Sequence, residues 1–241
     1  MIALLKLHSY YLFTLNTQRI LFALSLVSIG VMIVLSGVFS DRYLYLDYET
    51  YYFEYRIESL SYIKFSSLAL SFYFVLQLHF FKPYDTLLRQ LKSYLLLVFS
   101  KLFIIWFSVT LFSIYCIILS SIFSVLAGFK TEINELFSMV LHSSVFVIYY
   151  VLLYTILAYL TKHILSLFIV WFGWFIGEII IEPFKALESL TTFEKIIRTL
   201  FISLHLNSDN TVSFGIPLIN VLSALLIATV LSFLLITKKS D

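Results

Sequence analysis

Residues 79–101 read HFFKPYDTLLRQLKSYLLLVFSK and separate two long apolar segments. Helix-start signals predict an amphipathic helix over residues 83–95: Pro83 suits the first turn, and Asp85 lies near the positive end of the helix dipole. Asp85, Arg89 and Lys92 share one face, and the first two are spaced as an i,i+4 ion pair. This helix therefore has one face for lipid or protein and one for water or a polar partner.

The composition indicates a membrane protein. Hydrophobic residues make up 61% of the chain and charged residues 12%, whereas a soluble domain has about 25% charged residues. The net charge of +2 is too small to indicate nucleic-acid binding. Because Cys116 is the only cysteine, an intrachain disulfide and a cysteine-based metal cluster are excluded.

The apolar segments predict an all-α polytopic membrane protein in which residues 1–241 form a single transmembrane domain. A helix needs about 20 apolar residues to cross a bilayer. We expect an N-terminal interfacial elbow helix over 1–18, a cap at Thr17, a tyrosine-rich outer loop over 41–62, and outer amphipathic helices between spans five and six. The six predicted transmembrane helices cover residues 20–40, 65–81, 102–127, 136–161, 164–181 and 216–236.

The charges of this six-span arrangement are distributed unequally between the two sides. One side holds nine basic and two acidic residues, and the other, predicted to be the outer side, holds seven basic residues, among them Lys64, and twelve acidic residues. The basic side includes Arg89, Lys92 and both chain termini. Because cytoplasmic loops carry an excess of lysine and arginine, we expect a multi-pass protein of the cell membrane with cytoplasmic N- and C-termini.

Motifs of catalysis are missing from the sequence. It contains no G-x-x-x-x-G-K-[ST] phosphate loop, no G-x-S-x-G and no H-E-x-x-H, so we expect neither an enzyme nor a resident cofactor or metal. His142 is the one histidine well inside a predicted span. An intramembrane imidazole either belongs to a translocation path or makes a hydrogen bond that supports packing.

Two further features lie in the fifth predicted span. Gly173 and Gly177 form a G-x-x-x-G motif, which allows two helix backbones to approach closely, either between two copies or within one chain. Glu178 follows directly. A carboxylate there either contributes to a translocation path or extends to the outer headgroups.

In its order of elements the chain resembles the membrane subunit of a type-2 ABC exporter, a permease that dimerises and binds separate ATPase subunits. The residues carrying the resemblance are Asp85, the Leu87–Leu88 pair, Lys92–Ser93 and Lys101; the family's usual Pro and Arg after the Leu pair are missing. The resemblance implies that the helix over 83–95 is a cytoplasmic coupling helix whose Asp85, Arg89 and Lys92 contact the ATPase. ATP and Mg²⁺ would then bind the partner chain.

The function expected from this resemblance is ATP-dependent export of a drug-like molecule or an amphipathic peptide. The expected partners are an ABC ATPase subunit, a second permease copy or a paralogue, and the lipid bilayer. Two alternatives stay open: a secondary carrier or channel driven by an ion gradient, and a non-transporting assembly factor or membrane enzyme.

Overall fold

The computed structural model describes residues 2–42, 48–79, 94–129, 133–161, 164, 165, 167–169, 171 and 172. This part of the chain is helical and contains no strand. Five helices have defined bounds: α1 (Ile2–Leu12), α2 (Leu15–Arg42), α3 (Tyr48–His79), α4 (Tyr94–Leu126) and α5 (Ile133–Thr161).

Four of these helices are long and apolar enough to cross a membrane. Their candidate spans are Leu15–Val38 in α2, Tyr55–Leu78 in α3, Val98–Leu126 in α4 and Leu136–Ala158 in α5. Together with the absence of strands in the described residues, these helices show an all-helical fold of membrane-protein type. Residues 173–241, which include the second half of the fifth predicted span and all of the sixth, lie outside the description.

The helices form an antiparallel bundle whose core lies between α3, α4 and α5. These three helices pack pairwise, and each has about half of its candidate span buried, whereas α2 has 11% buried and packs on the α3 and α4 side. Large side chains such as Phe74, Ile105 and Phe146 fill the core. The peripheral α2 therefore leaves most of its apolar surface uncovered by the other described helices.

We refer to the two ends of the bundle as the α1 end and the Phe129 end. At the α1 end, α2 and α4 begin and α3 and α5 finish, and α1 packs against α3 and α4. At the opposite end, called the Phe129 end, α3 and α5 begin and α2 and α4 finish. This alternation follows from the direction in which each helix runs.

The junction between α1 and α2 is a tight break. The Phe13 N–H donates to the Ser9 carbonyl at 2.9 Å, and α2 then begins at Leu15. Thr14 precedes the helix as its N-cap, since its hydroxyl oxygen lies 3.5 Å from the Thr17 N–H. The sequence prediction of Thr17 as the cap is wrong, because Thr17 is a buried residue of the first turn.

The end of α4 is closed by a Schellman motif. Gly128 has a φ of 87°, a left-handed conformation that glycine adopts without steric cost. The Gly128 N–H donates to the Val125 carbonyl and the Phe129 N–H to the Ser124 carbonyl, each at 3.0 Å. Phe129, the residue after the glycine, is then buried and stacks on Tyr55 of α3 at 5.8 Å between ring centroids.

The start of α3 corrects one sequence prediction. Residues 41–62 are predicted as an outer loop and 65–81 as the second span, but Tyr48–Tyr62 belongs to α3 and the candidate span begins at Tyr55. This segment contains no glycine or proline to end a helix. Its Tyr55 and Ser59, four residues apart, are buried in the bundle while Glu58 is exposed, as expected for a helix with one side packed on its neighbours.

Candidate functional site: buried polar contacts of the bundle

The residues singled out from the sequence are mostly outside the described part of the chain. This applies to Asp85, Arg89 and Lys92 of the predicted coupling helix, and to Gly173, Gly177 and Glu178 of the fifth predicted span. Of the predicted helix over 83–95, only Tyr94 and Leu95 are described, and they begin α4. His142 lies on α5, and its side chain is among those not described.

Lys101 makes the first buried polar contact. Its side chain is fully buried, and the Nζ ammonium donates to the Leu78 carbonyl at 2.9 Å. Leu78 lies in the last turn of α3, where backbone carbonyls lack partners within the helix and the dipole is negative. The cation therefore joins the last turn of α3 to the second turn of α4.

Helix α1 packs across this junction. It contacts α4 and α3, and its His8 and Leu12 side chains are completely buried, whereas Lys6 is exposed. The burial of His8 and Leu12 at a four-residue spacing shows that one stripe of α1 faces the bundle. The interfacial position of the predicted elbow helix stays a prediction, because the structure contains no membrane.

A series of hydroxyl groups connects α2, α3 and α4, and this set is called the hydroxyl seam. Ser67 and Ser113 have oxygens 2.7 Å apart, Ser28 and Tyr62 2.8 Å apart, and Thr17 and Tyr73 3.2 Å apart. Ser28 donates to the Leu24 carbonyl one turn earlier and therefore accepts from the Tyr62 hydroxyl. Ser67 and Ser113 each lie within hydrogen-bond distance of such a carbonyl too, so one of them donates to its own helix and the other donates across the pair. Such paired hydroxyls satisfy polar groups where water has no access.

Lys64 is the second buried cation. It lies near the middle of α3, inside the candidate span, with 3% of its side chain surface exposed. An ionisable side chain at membrane depth is costly, so such residues usually mark a pathway or a specific pairing. Lys64, predicted among the outer residues, lies instead in the interior of the bundle.

The burial of both lysines could have been predicted from the sequence if the helices that contain them had been predicted at their full length. Once α3 is extended back to Tyr48, Lys64 lies well inside the helix, and residues 65–78 that follow it carry no charge. Lys101 is followed by an uncharged run but preceded by the apolar Leu95–Phe99, so it also lies inside a helix. The sequence around Lys64 or Lys101 does not indicate which side chains or carbonyls of other helices surround it.

The described residues contain no group of three His, Cys, Asp or Glu side chains that could hold a metal ion. Cys116 is buried, and its thiol lies 3.6 Å from the Ser28 hydroxyl. The chemistry available in this part of the bundle is therefore hydrogen bonding by hydroxyls and two buried cations.

Comparison with known protein families, curated proteins and solved structures finds no match for this chain.

Proposed function

We propose that this chain is the permease subunit of an ATP-dependent ABC exporter. It moves a drug-like molecule or an amphipathic peptide across the cell membrane, with both termini in the cytoplasm. A separate ATPase subunit binds ATP and Mg²⁺, and a second permease copy or a paralogue completes the transporter. The proposal rests on the architecture expected from the sequence and on one contact of the bundle.

That contact is the bond between Lys101 and Leu78. The Lys101 ammonium donates to the Leu78 carbonyl at 2.9 Å. This hydrogen bond links the last turn of α3 to the second turn of α4, close to where the intervening sequence leaves one helix and enters the other. The sequence between them contains Asp85, Arg89 and Lys92. A force applied to this intervening sequence is therefore transmitted to α3 and α4 together.

In the proposed mechanism, closure of the ATPase dimer on ATP displaces the helix predicted over residues 83–95. The displacement moves α3 and α4 as one unit, and the bundle changes between two packing arrangements. Because α2 has the smallest buried share of the four candidate spans, it has the least contact to break when α3 and α4 move. This order of events makes transport depend on the polar face of the predicted coupling helix.

The test is charge reversal at that face. The chain is purified under mild conditions from its host, and the ATPase that accompanies it is identified by its nucleotide-hydrolysing activity. Arg89→Glu with Lys92→Glu removes the ATPase and ATP-dependent transport, while Arg19→Glu, an exposed cation on α2, leaves both unchanged. Persistent absence of an ATPase, together with unaltered transport by the double variant, contradicts the proposal.

A gradient-driven carrier or channel is the second candidate, and Lys64 favours it. An ionisable side chain near the middle of α3, buried and inside a candidate span, is of the kind that marks a transport pathway. The test measures transport of a fluorescent amphipathic peptide into proteoliposomes. Transport that is driven by an ion gradient without ATP, and that is lost in Lys64→Met, supports this candidate. Transport that needs ATP and is indifferent to the gradient excludes it.

A further inference from the structure

A small polar pocket lies at the Phe129 end, between α3, α4 and α5. Tyr52, Tyr55 and Arg56 of α3 line it on one side, and Ser124 of α4 lines it on another. Its volume is about 10 Å³, close to the minimum of about 10–15 Å³ needed for one water-sized group. The pocket can therefore admit a single oxygen atom of a larger group.

Ser124 is the open hydrogen-bonding group of this pocket. It is 1% exposed, and its hydroxyl has no hydrogen-bond partner among the described residues. The neighbouring hydroxyls have partners: Tyr55 donates to the Ser120 carbonyl and Ser121 to the Ile117 carbonyl, each at 2.8 Å. A buried hydroxyl without a partner costs free energy, which a bound oxygen recovers.

Arg56 determines the charge that the pocket favours. Its guanidinium lies 5.8 Å from the centre of the Tyr52 ring and lines the same pocket as Ser124. Guanidinium groups bind carboxylate and phosphate oxygens in preference to neutral acceptors.

An apolar groove adjoins the polar pocket. It runs between α4 and α5, with Ile118, Ile122 and Val125 on one wall and Phe137 and Val140 on the other, and has a volume of about 630 Å³. Along α4 it extends from Ile117 to Leu126, which at 1.5 Å per residue is about 13 Å, close to the thickness of one leaflet's hydrocarbon, roughly 15 Å. Ser121 and Leu136 line both the groove and the pocket.

We propose that the pocket and groove together bind one membrane phospholipid with an anionic headgroup. One headgroup oxygen accepts hydrogen bonds from the Ser124 hydroxyl and Arg56, and the rest of the headgroup stays at the pocket mouth. An acyl chain lies in the groove. A lipid fits better than a soluble anion because the groove walls are apolar and belong to the candidate spans Val98–Leu126 and Leu136–Ala158, which are long and apolar enough to cross a membrane.

Native mass spectrometry tests this site on the full chain. The protein is exchanged into equal amounts of phosphatidylglycerol and phosphatidylcholine, and the ratio of the two retained lipids is measured. We expect one strongly retained lipid with phosphatidylglycerol preferred. Arg56→Gln lowers that preference about threefold, the size of a partly exposed ion pair, and Ser124→Ala lowers it less. Arg19→Gln, at the α1 end, leaves the ratio unchanged.

The groove is tested separately by filling it. Ile122→Trp on α4 and Phe137→Trp on α5 each reduce retention of both lipids without altering the melting temperature by more than Arg19→Gln does. An unchanged lipid ratio in Arg56→Gln overturns the proposal and leaves a pocket that holds water only. The proposal is also overturned if inorganic phosphate abolishes the preference for phosphatidylglycerol while the two tryptophan variants retain both lipids normally. That result indicates a site for a soluble anion.

Discussion

A lysine inside a membrane bundle is stabilised when its ammonium donates hydrogen bonds to protein acceptors in place of the water that it has lost. Lys101 meets this condition at the C-terminal turn of α3, where the Leu78 carbonyl accepts its proton and the helix dipole is negative. The bond satisfies two groups at once, because a carbonyl in the last turn of a buried helix also needs a donor. Removing the ammonium therefore leaves an unsatisfied acceptor.

We predict that Lys101→Met lowers the free energy of unfolding by about 1–3 kcal/mol. Methionine keeps much of the unbranched side-chain volume but cannot donate to the Leu78 carbonyl. Unfolding in a mild detergent with increasing denaturant measures the change. Lys6→Met, which alters an exposed lysine of α1, serves as the control and has an effect near zero. Equal stability of the two variants contradicts a bond between Lys101 and Leu78.

The closest hydroxyl pair of the seam gives a second prediction. Ser67 and Ser113 have oxygens 2.7 Å apart in the buried interface between α3 and α4. A double-mutant cycle with Ser67→Ala and Ser113→Ala should give a coupling of about 0.6 kcal/mol, with roughly 1.7 kcal/mol as the upper value for such pairs in membrane proteins. Pairing either change with Ser25→Ala, whose hydroxyl donates within its own helix, gives no coupling.

At the scale of the element, the start of α3 separates the structure from the sequence prediction. If residues 48–62 are helical, Ile57→Pro removes an N–H within the helix and its ring meets the preceding turn, at about 3 kcal/mol or more. We predict a large loss of melting temperature and of helical circular dichroism. Ile57→Ala keeps the N–H and is the matched control. Equal behaviour of the two variants supports a loop instead.

Much of the helical architecture can be predicted because an uncharged run of sufficient length has few alternatives to a membrane helix. This holds for α2, α4 and α5, whose apolar cores are uninterrupted. It fails for the first half of α3, where tyrosines and glutamates suggest a loop if each residue is judged by its own polarity. In the structure Tyr55 and Ser59 are buried while Glu58 is exposed, so the position of a residue around the helix, and not its polarity alone, determines its burial.

The candidate site was much harder to predict than the helices. Lys101 is recognisable as a basic residue next to an apolar run, but its acceptor comes from another helix. The pairing of Ser67 with Ser113 depends on the register and rotation of α3 against α4, which no local sequence pattern determines. Asp85, Arg89, Lys92, Gly173, Gly177 and Glu178 stay predictions from the sequence.

At the scale of the whole molecule, the four candidate spans assign each loop to one end of the bundle. The chain passes from the α1 end to the Phe129 end in α2, back in α3, across again in α4 and back in α5. Lys101, α1 and the sequence between α3 and α4 therefore share one end with the first residues of α2. Arg56 and Ser124 lie towards the other.

This alternation predicts that Phe13 and Ile133, both exposed, lie on opposite sides of the membrane. In a background carrying Cys116→Ala, a cysteine introduced at position 133 should react with a membrane-impermeant maleimide added to intact cells. A cysteine introduced at position 13 should react only after permeabilisation, because the excess of basic residues places its side in the cytoplasm.

A cysteine introduced in place of Val34, inside the candidate span of α2, is the control and should stay unlabelled in both conditions because the reagent does not enter the hydrocarbon core. Labelling at positions 13 and 133 from the same side contradicts the odd number of crossings between them. If position 13 is labelled in intact cells and position 133 only after permeabilisation, the number of crossings is confirmed but the cytoplasmic location of the N-terminus is refuted. The proposed ATPase contact fails with that polarity, since the sequence between α3 and α4 would then face away from ATP.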